Sequence, residues 1–309
     1  MPYYEKEKRR MLLGQSNNAL VTLIAINLVV FVAFLFIQAI FYLRYPDGSQ
    51  AVASFRENVL SWFALPADGS KILAKPWTIL THMFVHVDIW HIFANMLWLW
   101  MFGYILQDLT GNRKIFPVFF YGAIFGALAF ILSYNFLPAL KPNLPVQTAI
   151  GASAGVMAVA MATTFIAPGY RIFPMLNGGI PLWVITAIYL VIDLATIPVS
   201  NPGGHIAHLA GALAGFLFMY SYRQGYDWGG WINNFFDWFT NLFNPDKPKK
   251  GKVIKSELFY KSTKDPYKKT PNVTEQRIDE ILDKISQKGY DSLSDEEKDL
   301  LKRASQKDW

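Results

Sequence analysis

Six apolar stretches, separated by polar segments, divide the first 223 residues of the chain. They cover about residues 18–43, 88–107, 115–137, 152–167, 180–198 and 204–222. A helix needs roughly 20 apolar residues to cross a bilayer, and each stretch reaches or approaches that length, the fourth being the shortest. The pattern predicts an all-α integral membrane protein with six transmembrane helices between residues 18 and 223.

A different pattern follows the sixth stretch. Aromatic residues recur at helical spacing in WGGWINNFFDWFTNLFNP, which predicts an amphipathic helix lying on the membrane surface over 228–245. The lysine- and proline-rich segment 246–273 is typical of a flexible linker. Residues 274–306 predict a small hairpin of two helices, the second of which starts at a capping box of Ser294 and Glu297.

Composition supports a membrane protein. The chain is 52% hydrophobic, 16% aromatic and 17% charged, and its charges are concentrated near the N-terminus and after residue 245. A soluble domain of this size carries more charge. The absence of cysteine excludes disulfides and thiolate metal sites. The net charge of +6 comes from basic residues that flank apolar stretches, which favours orientation in a membrane over nucleic-acid binding.

Lys and Arg are unevenly distributed between the two sides of the predicted bundle. The side that includes both termini carries more of them, among them Arg171, Arg223 and the cluster at 247–252. Because positive residues accumulate on the cytoplasmic side, we expect the N-terminal segment 1–17 and the helical tail in the cytoplasm. The loop over 44–87 is then outside. We therefore expect a multi-pass protein of a cell membrane, specifically a bacterial inner membrane.

The five histidines lie in only two places. His82, His86 and His91 occur in THMFVHVDIWHIFANM, and His205 and His208 occur in GGHIAHLAGALAG. Polar side chains are costly within a membrane, and where they occur they usually serve a function. Both stretches are therefore candidate parts of a functional site.

Ser153 opens a short helix of small residues in TAIGASAGVMAVAMATT. Most serines in membrane helices simply allow close helix packing. At a helix N-terminus, however, unpaired backbone N–H groups lie close to the hydroxyl, and an adjacent base would make the serine a nucleophile. Imidazole is such a base near neutral pH.

Small side chains predict which histidine reaches this serine. On the sixth helix His208 lies close to the face that carries small residues, and the fourth helix offers a matching face: Gly211 and Gly215 on the sixth, and Ala154, Ala158 and Ala162 on the fourth. Close packing of these faces would bring His208 to Ser153. We expect His205 to turn away, towards the outer rim.

The second helix offers hydrogen-bond donors. Asp88 is a natural N-cap, which places His91 in the first turn and Asn95 one turn later on the same face. Both side chains can donate hydrogen bonds. Together with the backbone N–H of Ser153 they would stabilise an oxyanion. Of the species formed in acyl transfer, the oxyanion most needs preorganised hydrogen-bond donors.

These motifs resemble the rhomboid family of intramembrane serine proteases. They are HxxxHxxxxHxxxN on the second helix, GxSx at the start of the fourth and AHxxG on the sixth, and the resemblance covers about residues 15–225. It implies a six-helix rhomboid bundle with a water-filled cavity open to the outer face. It also implies cleavage of peptide bonds in transmembrane segments of other membrane proteins.

The same resemblance implies a role for each motif residue. Ser153 is the nucleophile and His208 the general base of a Ser–His dyad. His91, Asn95 and the backbone N–H of Ser153 are the oxyanion donors. It implies no cofactor and no metal.

Two further residues have supporting roles by this resemblance. His86 is a polar residue at the mouth of the cavity, and Gly151 allows the tight backbone approach to the serine. The chain departs from residues frequent in the family at Ala154 and Met157, which follow the serine, and at Thr78 in the outer loop.

Two alternatives remain open at this point. The histidines and Asp193 offer ligands for a metal, and paired histidines can bind haem between helices, although this leaves Ser153 and Asn95 unexplained. The other alternative is a non-proteolytic rhomboid-like binding protein. Such proteins lose the serine or the histidine, whereas this chain keeps both Ser153 and His208.

Overall fold

The computed structural model describes residues 18–173, 175, 178–242 and 275–305. The predicted N-terminal segment 1–17 and linker 246–273 lie outside these residues. The chain divides into two compact units, Met1–Asn244 and Pro245–Trp309.

Helices dominate both units. In chain order they are α1 (Ala19–Arg44), α2 (Gly48–Asn58), α3 (Gly69–Ala74), α4 (Thr78–Thr81), α5 (Ile89–Thr110), α6 (Ile115–Phe136), α7 (Ser153–Ile166), α8 (Leu182–Thr196), α9 (Pro202–Arg223) and α10 (Gly230–Leu242), followed in the second unit by α11 (Glu275–Lys288) and α12 (Asp295–Ser305). The six apolar stretches correspond to α1 and α5 to α9.

Three segments are long and apolar enough to cross a membrane, judged by length and composition over the described residues. They are α1, α5 and Asn112–Phe136, which is α6 with the 3₁₀ turn before it. Helices α7 and α8 are apolar but contain only 14 and 15 residues. The predicted number of six spans therefore stays a prediction.

Two short antiparallel strand pairs connect the loops of the first unit. Strand β1 (Leu65–Pro66) pairs with β2 (Thr148–Ala149), with Leu65 opposite Ala149. Strand β3 (Arg171–Ile172) pairs with β4 (Ile180–Pro181). The first pair matters for the site, because it fastens the loop between α1 and α5 to the segment that leads into Ser153.

Helix α7 is the central helix of the first unit and is buried along most of its length. Small residues permit this position: a Cβ added at Gly211 of α9 would overlap the carbonyl oxygen of Ala154, and one at Gly215 would overlap that of Ala158. On the other side, a Cβ at Gly122 of α6 would overlap the side chain of Ala158. The predicted close packing of the small faces of α7 and α9 is confirmed.

Helix α10 packs against the start of α6. The rings of Phe116 and Phe236 stack with centroids 4.4 Å apart, and the indole N–H of Trp231 donates to the hydroxyl of Tyr121 at 2.8 Å. Nearby, the largely buried Lys114 forms an ion pair of 2.6 Å with Asp227. These contacts hold the segment after α9 against the bundle.

The second unit has a small apolar core of its own. Ile281, Leu293 and Leu300 are buried together. Lys284 binds the carboxylate of Glu297 at 2.9 Å, and the same carboxylate accepts the backbone N–H of Ser294 at 2.8 Å. The latter bond is one half of the capping box expected from the sequence.

Candidate active site

Ser153 and His208 lie in direct hydrogen-bond contact. Ser153 is the first residue of α7, and His208 lies in the second turn of α9. The Nε2 atom of His208 is 2.7 Å from the Oγ atom of Ser153. The close approach of α9 at Gly211 to the backbone of α7 at Ala154 brings these two side chains together. The arrangement is one in which imidazole can accept the hydroxyl proton.

A carboxylate lies behind this pair. The Oδ1 atom of Asp193, on α8, is 2.9 Å from Nδ1 of His208 and 2.7 Å from Nδ1 of His205. Asp193 is only 3% exposed. The sequence predicts Asp193 only as a ligand of the alternative metal site, although a lone acid within an apolar helix is a recognisable signal of function.

The expected orientation of His205 is wrong. It does not turn away to the outer rim but bonds to Asp193 beside His208. The physical reason is that residues three apart on a helix are separated by only about 60°, so a partner on α8 can contact both histidines.

Gly151 shapes the approach to the serine. Its φ of 114° lies in the region that favours glycine, and a Cβ there would lie 2.7 Å from Cε1 and 2.9 Å from Nε2 of His91. Its N–H donates to the carbonyl oxygen of His82 at 2.9 Å. The segment before Ser153 is thus held against the His91 ring.

The N-cap predicted for α5 is confirmed, because Asp88 accepts the backbone N–H of His91 at 2.8 Å. One turn further, Asn95 is buried, and its Nδ2 atom lies 3.1 Å from Nε2 of His86. An amide nitrogen carries two hydrogens, so this bond leaves one for another acceptor.

His86 does not lie at the mouth of the cavity, and that expectation is wrong. It is fully buried, and its Nε2 atom also accepts the backbone N–H of Ala152 at 3.3 Å. Two converging N–H groups draw the ring inward. Burial, reinforced by neighbouring His91, lowers the pKa of His86 to about 4, so the ring is neutral at pH 7.

His82 is similarly buried in the turn that follows α4. Its Nδ1 atom is 3.0 Å from the carbonyl oxygen of Thr78. Burial lowers the pKa of His82 to about 4, so it too is neutral at pH 7.

A cavity of about 210 Å³ opens beside the serine. Its walls come from α5, α6, α7, α9, the segment 148–151 before α7 and the turn that follows α4. They include His82, His91, Phe130, Gly151, Ser153 and His208. A peptide segment entering this cavity would meet the hydroxyl, the imidazole and the N-terminus of α7 together.

Among the described residues, one cluster has the composition of a metal site. One ligand atom from each of Asp193, His205 and His208 lies within 4.8 Å of the others. The oxygen–nitrogen distances of 2.7 and 2.9 Å are those of hydrogen bonds. The Nδ1 atoms of the two histidines and the Oδ1 atom of Asp193 are therefore hydrogen-bonded to one another.

Comparison with known proteins identifies a family for the first unit. The Rhomboid domain family matches residues 73–225. The chain is 25% identical over 157 residues to RHOMBOID-like protein 12, mitochondrial, of Arabidopsis thaliana, covering 48% of this chain and 47% of the relative. It is 24% identical over 167 residues to Rhomboid protease GlpG of Pectobacterium atrosepticum, covering 52% and 53%.

A further relative is Rhomboid protein 1, mitochondrial, of Saccharomyces cerevisiae, 30% identical over 146 residues, covering 46% of this chain and 40% of the relative. The chain thus spans about half the length of the curated relatives it matches. The chain belongs to the rhomboid family. With its apolar helices, it is a multi-pass membrane protein.

The second unit matches a separate family. Residues 262–307 are similar to a family of unknown function, DUF6576. The helices α11 and α12 fall within this region.

Proposed function

We propose that this protein is an intramembrane serine endopeptidase that cleaves transmembrane segments of other membrane proteins. The observation that supports this most strongly is the 2.7 Å contact between Ser153 Oγ and His208 Nε2 beside the cavity. The name of a matched relative, Rhomboid protease GlpG, agrees with the proposal. The non-proteolytic alternative leaves this contact without a purpose.

The reaction follows from the two side chains. His208 takes the hydroxyl proton of Ser153 as the oxygen attacks the peptide carbonyl, and then gives the proton to the departing amine. Water next attacks the acyl-enzyme, with His208 again acting as the base. Release of the acid restores the free hydroxyl.

Charge on the attacked carbonyl oxygen needs donors. As the first residue of α7, Ser153 has a backbone N–H that no carbonyl within the helix accepts. His91 lines the cavity, and Asn95 has a second amide hydrogen beyond its bond to His86. We assign these three groups to the oxyanion.

Topology is part of the proposal. The six apolar stretches give six spans over 18–223, and the aromatic spacing gives a surface helix at 228–245. The charge distribution places both termini in the cytoplasm, and so this helix on the inner leaflet. A bacterial inner membrane is the proposed location, with the bilayer and transmembrane proteins as partners. Reporter fusions after Arg223 and within 48–70 should report opposite sides, and a shared side would contradict this topology.

Cleavage of model transmembrane substrates by the purified, reconstituted protein tests the function. The wild type should release fragments, and Ser153→Ala should release none. Ser133→Ala is a matched control, because Ser133 is a buried serine of α6 whose hydroxyl donates to the Phe130 carbonyl at 2.7 Å. A wild type that binds these substrates without cleaving any would favour the non-proteolytic alternative.

A further inference from the structure

Asp193 is the one buried acid in the apolar helices of the described first unit. Helices α1 and α5 to α9 contain two acidic residues, of which Asp108 is exposed and Asp193 is 3% exposed. A buried carboxylate within an apolar bundle is costly unless hydrogen bonds compensate its charge. Those it has come from two histidines of α9.

These bonds determine which nitrogen of each histidine carries hydrogen. An ionised carboxylate only accepts hydrogen bonds, so Nδ1 of His205 and Nδ1 of His208 both donate to Oδ1 of Asp193. In a neutral imidazole the other nitrogen then has a lone pair. For His208 that lone pair is directed at the hydroxyl of Ser153, 2.7 Å away.

We propose that Asp193 is a positioning residue that holds His208 in the tautomer needed to deprotonate Ser153 and stabilises the imidazolium that results. This inference rests on the proposed function of Ser153 and His208. Asp193 does not touch the reacting atoms, and it keeps its charge while the proton moves between Ser153, His208 and the leaving group.

The surroundings of the Asp193 carboxylate fit this role. Its Oδ2 atom is buried and has no hydrogen-bond partner among the described residues. Two neutral donors compensate a carboxylate only in part, so its attraction increases when His208 becomes a cation in these poorly hydrated surroundings. His205, the second donor, fixes the direction of the carboxylate.

The kinetic test compares two substitutions within α8 in the full-length protein. Loss of the carboxylate from a Ser–His–Asp triad lowers kcat by about 10⁴-fold. Asp193→Asn should therefore lower kcat by roughly 10²- to 10⁴-fold while leaving KM near the wild-type value. Thr186→Val is the matched control, because Thr186 is buried on the same helix and bonds Thr164 at 2.7 Å instead. It should leave kcat unchanged.

A spectroscopic test does not depend on cleavage. In protein with ¹⁵N-labelled histidine, assigned with His208→Gln, the neutral His208 ring should carry its hydrogen on Nδ1. In Asp193→Asn the form with hydrogen on Nε2 should gain population. Asp193→Glu, which restores a carboxylate, should recover part of kcat.

The outcomes separate the two claims. If the wild type cleaves no substrate, the proposed function fails, and the tautomer of His208 still decides the role of Asp193. A folded Asp193→Asn with wild-type kcat, or a wild type with the His208 hydrogen on Nε2, overturns the inference. If Asp193→Asn does not fold, the wild-type spectrum decides.

Discussion

The histidines before and within α5 differ from those of α9 in their partners. His82 bonds the carbonyl oxygen of Thr78, and His86 accepts N–H groups from Asn95 and Ala152, so these partners are all neutral. The α9 histidines bond a carboxylate, and one of them also contacts a serine hydroxyl. We call these groups the α5 histidines (His82, His86 and His91) and the α9 histidines (His205 and His208).

The partner of a buried imidazole determines what that imidazole can do. Neutral partners and burial keep His82 and His86 uncharged, which suits them to hold backbone segments in place. The carboxylate of Asp193 instead bonds His208 on the side away from Ser153, which suits His208 for the role of base that we propose. Position in the sequence does not distinguish these roles, because both groups occur in apolar stretches with small or aromatic neighbours.

The largest expected effect separates the two α9 histidines. His208→Ala should reduce cleavage to the level of Ser153→Ala, because a base and its nucleophile act as a unit. The loss should be about 10⁴-fold or more in kcat. His205→Ala should lose far less, since it removes only the second donor to Asp193. Initial rates with one fluorogenic transmembrane substrate would compare them. An inactive His205→Ala variant together with an active His208→Ala variant would make His205, not His208, the general base.

Next in size is the contact between Gly151 and His91 of the α5 histidines. Gly151→Ala should lower kcat by roughly 10²-fold or more, because the methyl group displaces a ring assigned to the oxyanion. Gly111→Ala separates this effect from backbone strain, because Gly111 has a φ of 83° but no neighbour within 4 Å of an added Cβ. It should cost about 1–3 kcal/mol of stability and leave kcat unchanged. Equal losses of kcat in both variants would contradict the steric explanation.

Asn95 tests whether the α5 region takes part in chemistry at all. Asn95→Ala should slow turnover by about 10²–10³-fold, the usual cost of one oxyanion donor. The control is Asn27→Ala, which removes another buried asparagine whose Nδ2 atom donates to the Leu23 carbonyl at 2.9 Å. It should change the melting temperature without changing kcat. If Asn95→Ala cleaves at the wild-type rate, Asn95 only supports His86.

The smallest effect is on stability and belongs to His82 and His86. Each has a pKa of about 4 when folded, against 6.5 in the unfolded chain, so the unfolded state binds more protons between these values. The contribution of each neutral histidine to the free energy of unfolding should therefore be fully present above pH 6.5. For each histidine, the free energy of unfolding should fall by about 1.4 kcal/mol per pH unit towards pH 4 and level off below it.

Thermal unfolding of the detergent-solubilised protein at several pH values would measure this slope. His82→Gln cannot titrate in this range, so its curve should be shallower than that of the wild type by one group. Identical curves for the two proteins would show that His82 is not buried as a neutral ring.

Part of this site was predictable because it depends on local rules. The N-cap at Asp88 and the serine at the start of α7 follow from capping and helix-terminus chemistry. The pairing of small residues on α7 and α9 follows from the need for close packing.

The rest depended on contacts that no local pattern determines. Asp193 bonds His205 and His208 only because α8 lies beside α9, and a single polar residue in an apolar helix does not specify its partner. The inward position of His86 depends on the Ala152 N–H, 66 residues away in sequence. The number of spans is similarly hard to judge for helices as short as α7 and α8. Helix α7 is buried among other helices, whereas α8 exposes most of its apolar side chains.

Covalent labelling shows directly whether His208 activates Ser153 as a nucleophile. A fluorophosphonate probe reacts with a serine that an adjacent base has activated, and peptide mass spectrometry locates the adduct. We predict that the wild-type adduct is on Ser153, that Ser153→Ala and His208→Ala are unlabelled, and that Ser133→Ala is labelled like the wild type. A folded wild-type protein that stays unlabelled while cleaving substrate, or an adduct on another residue, would contradict the account.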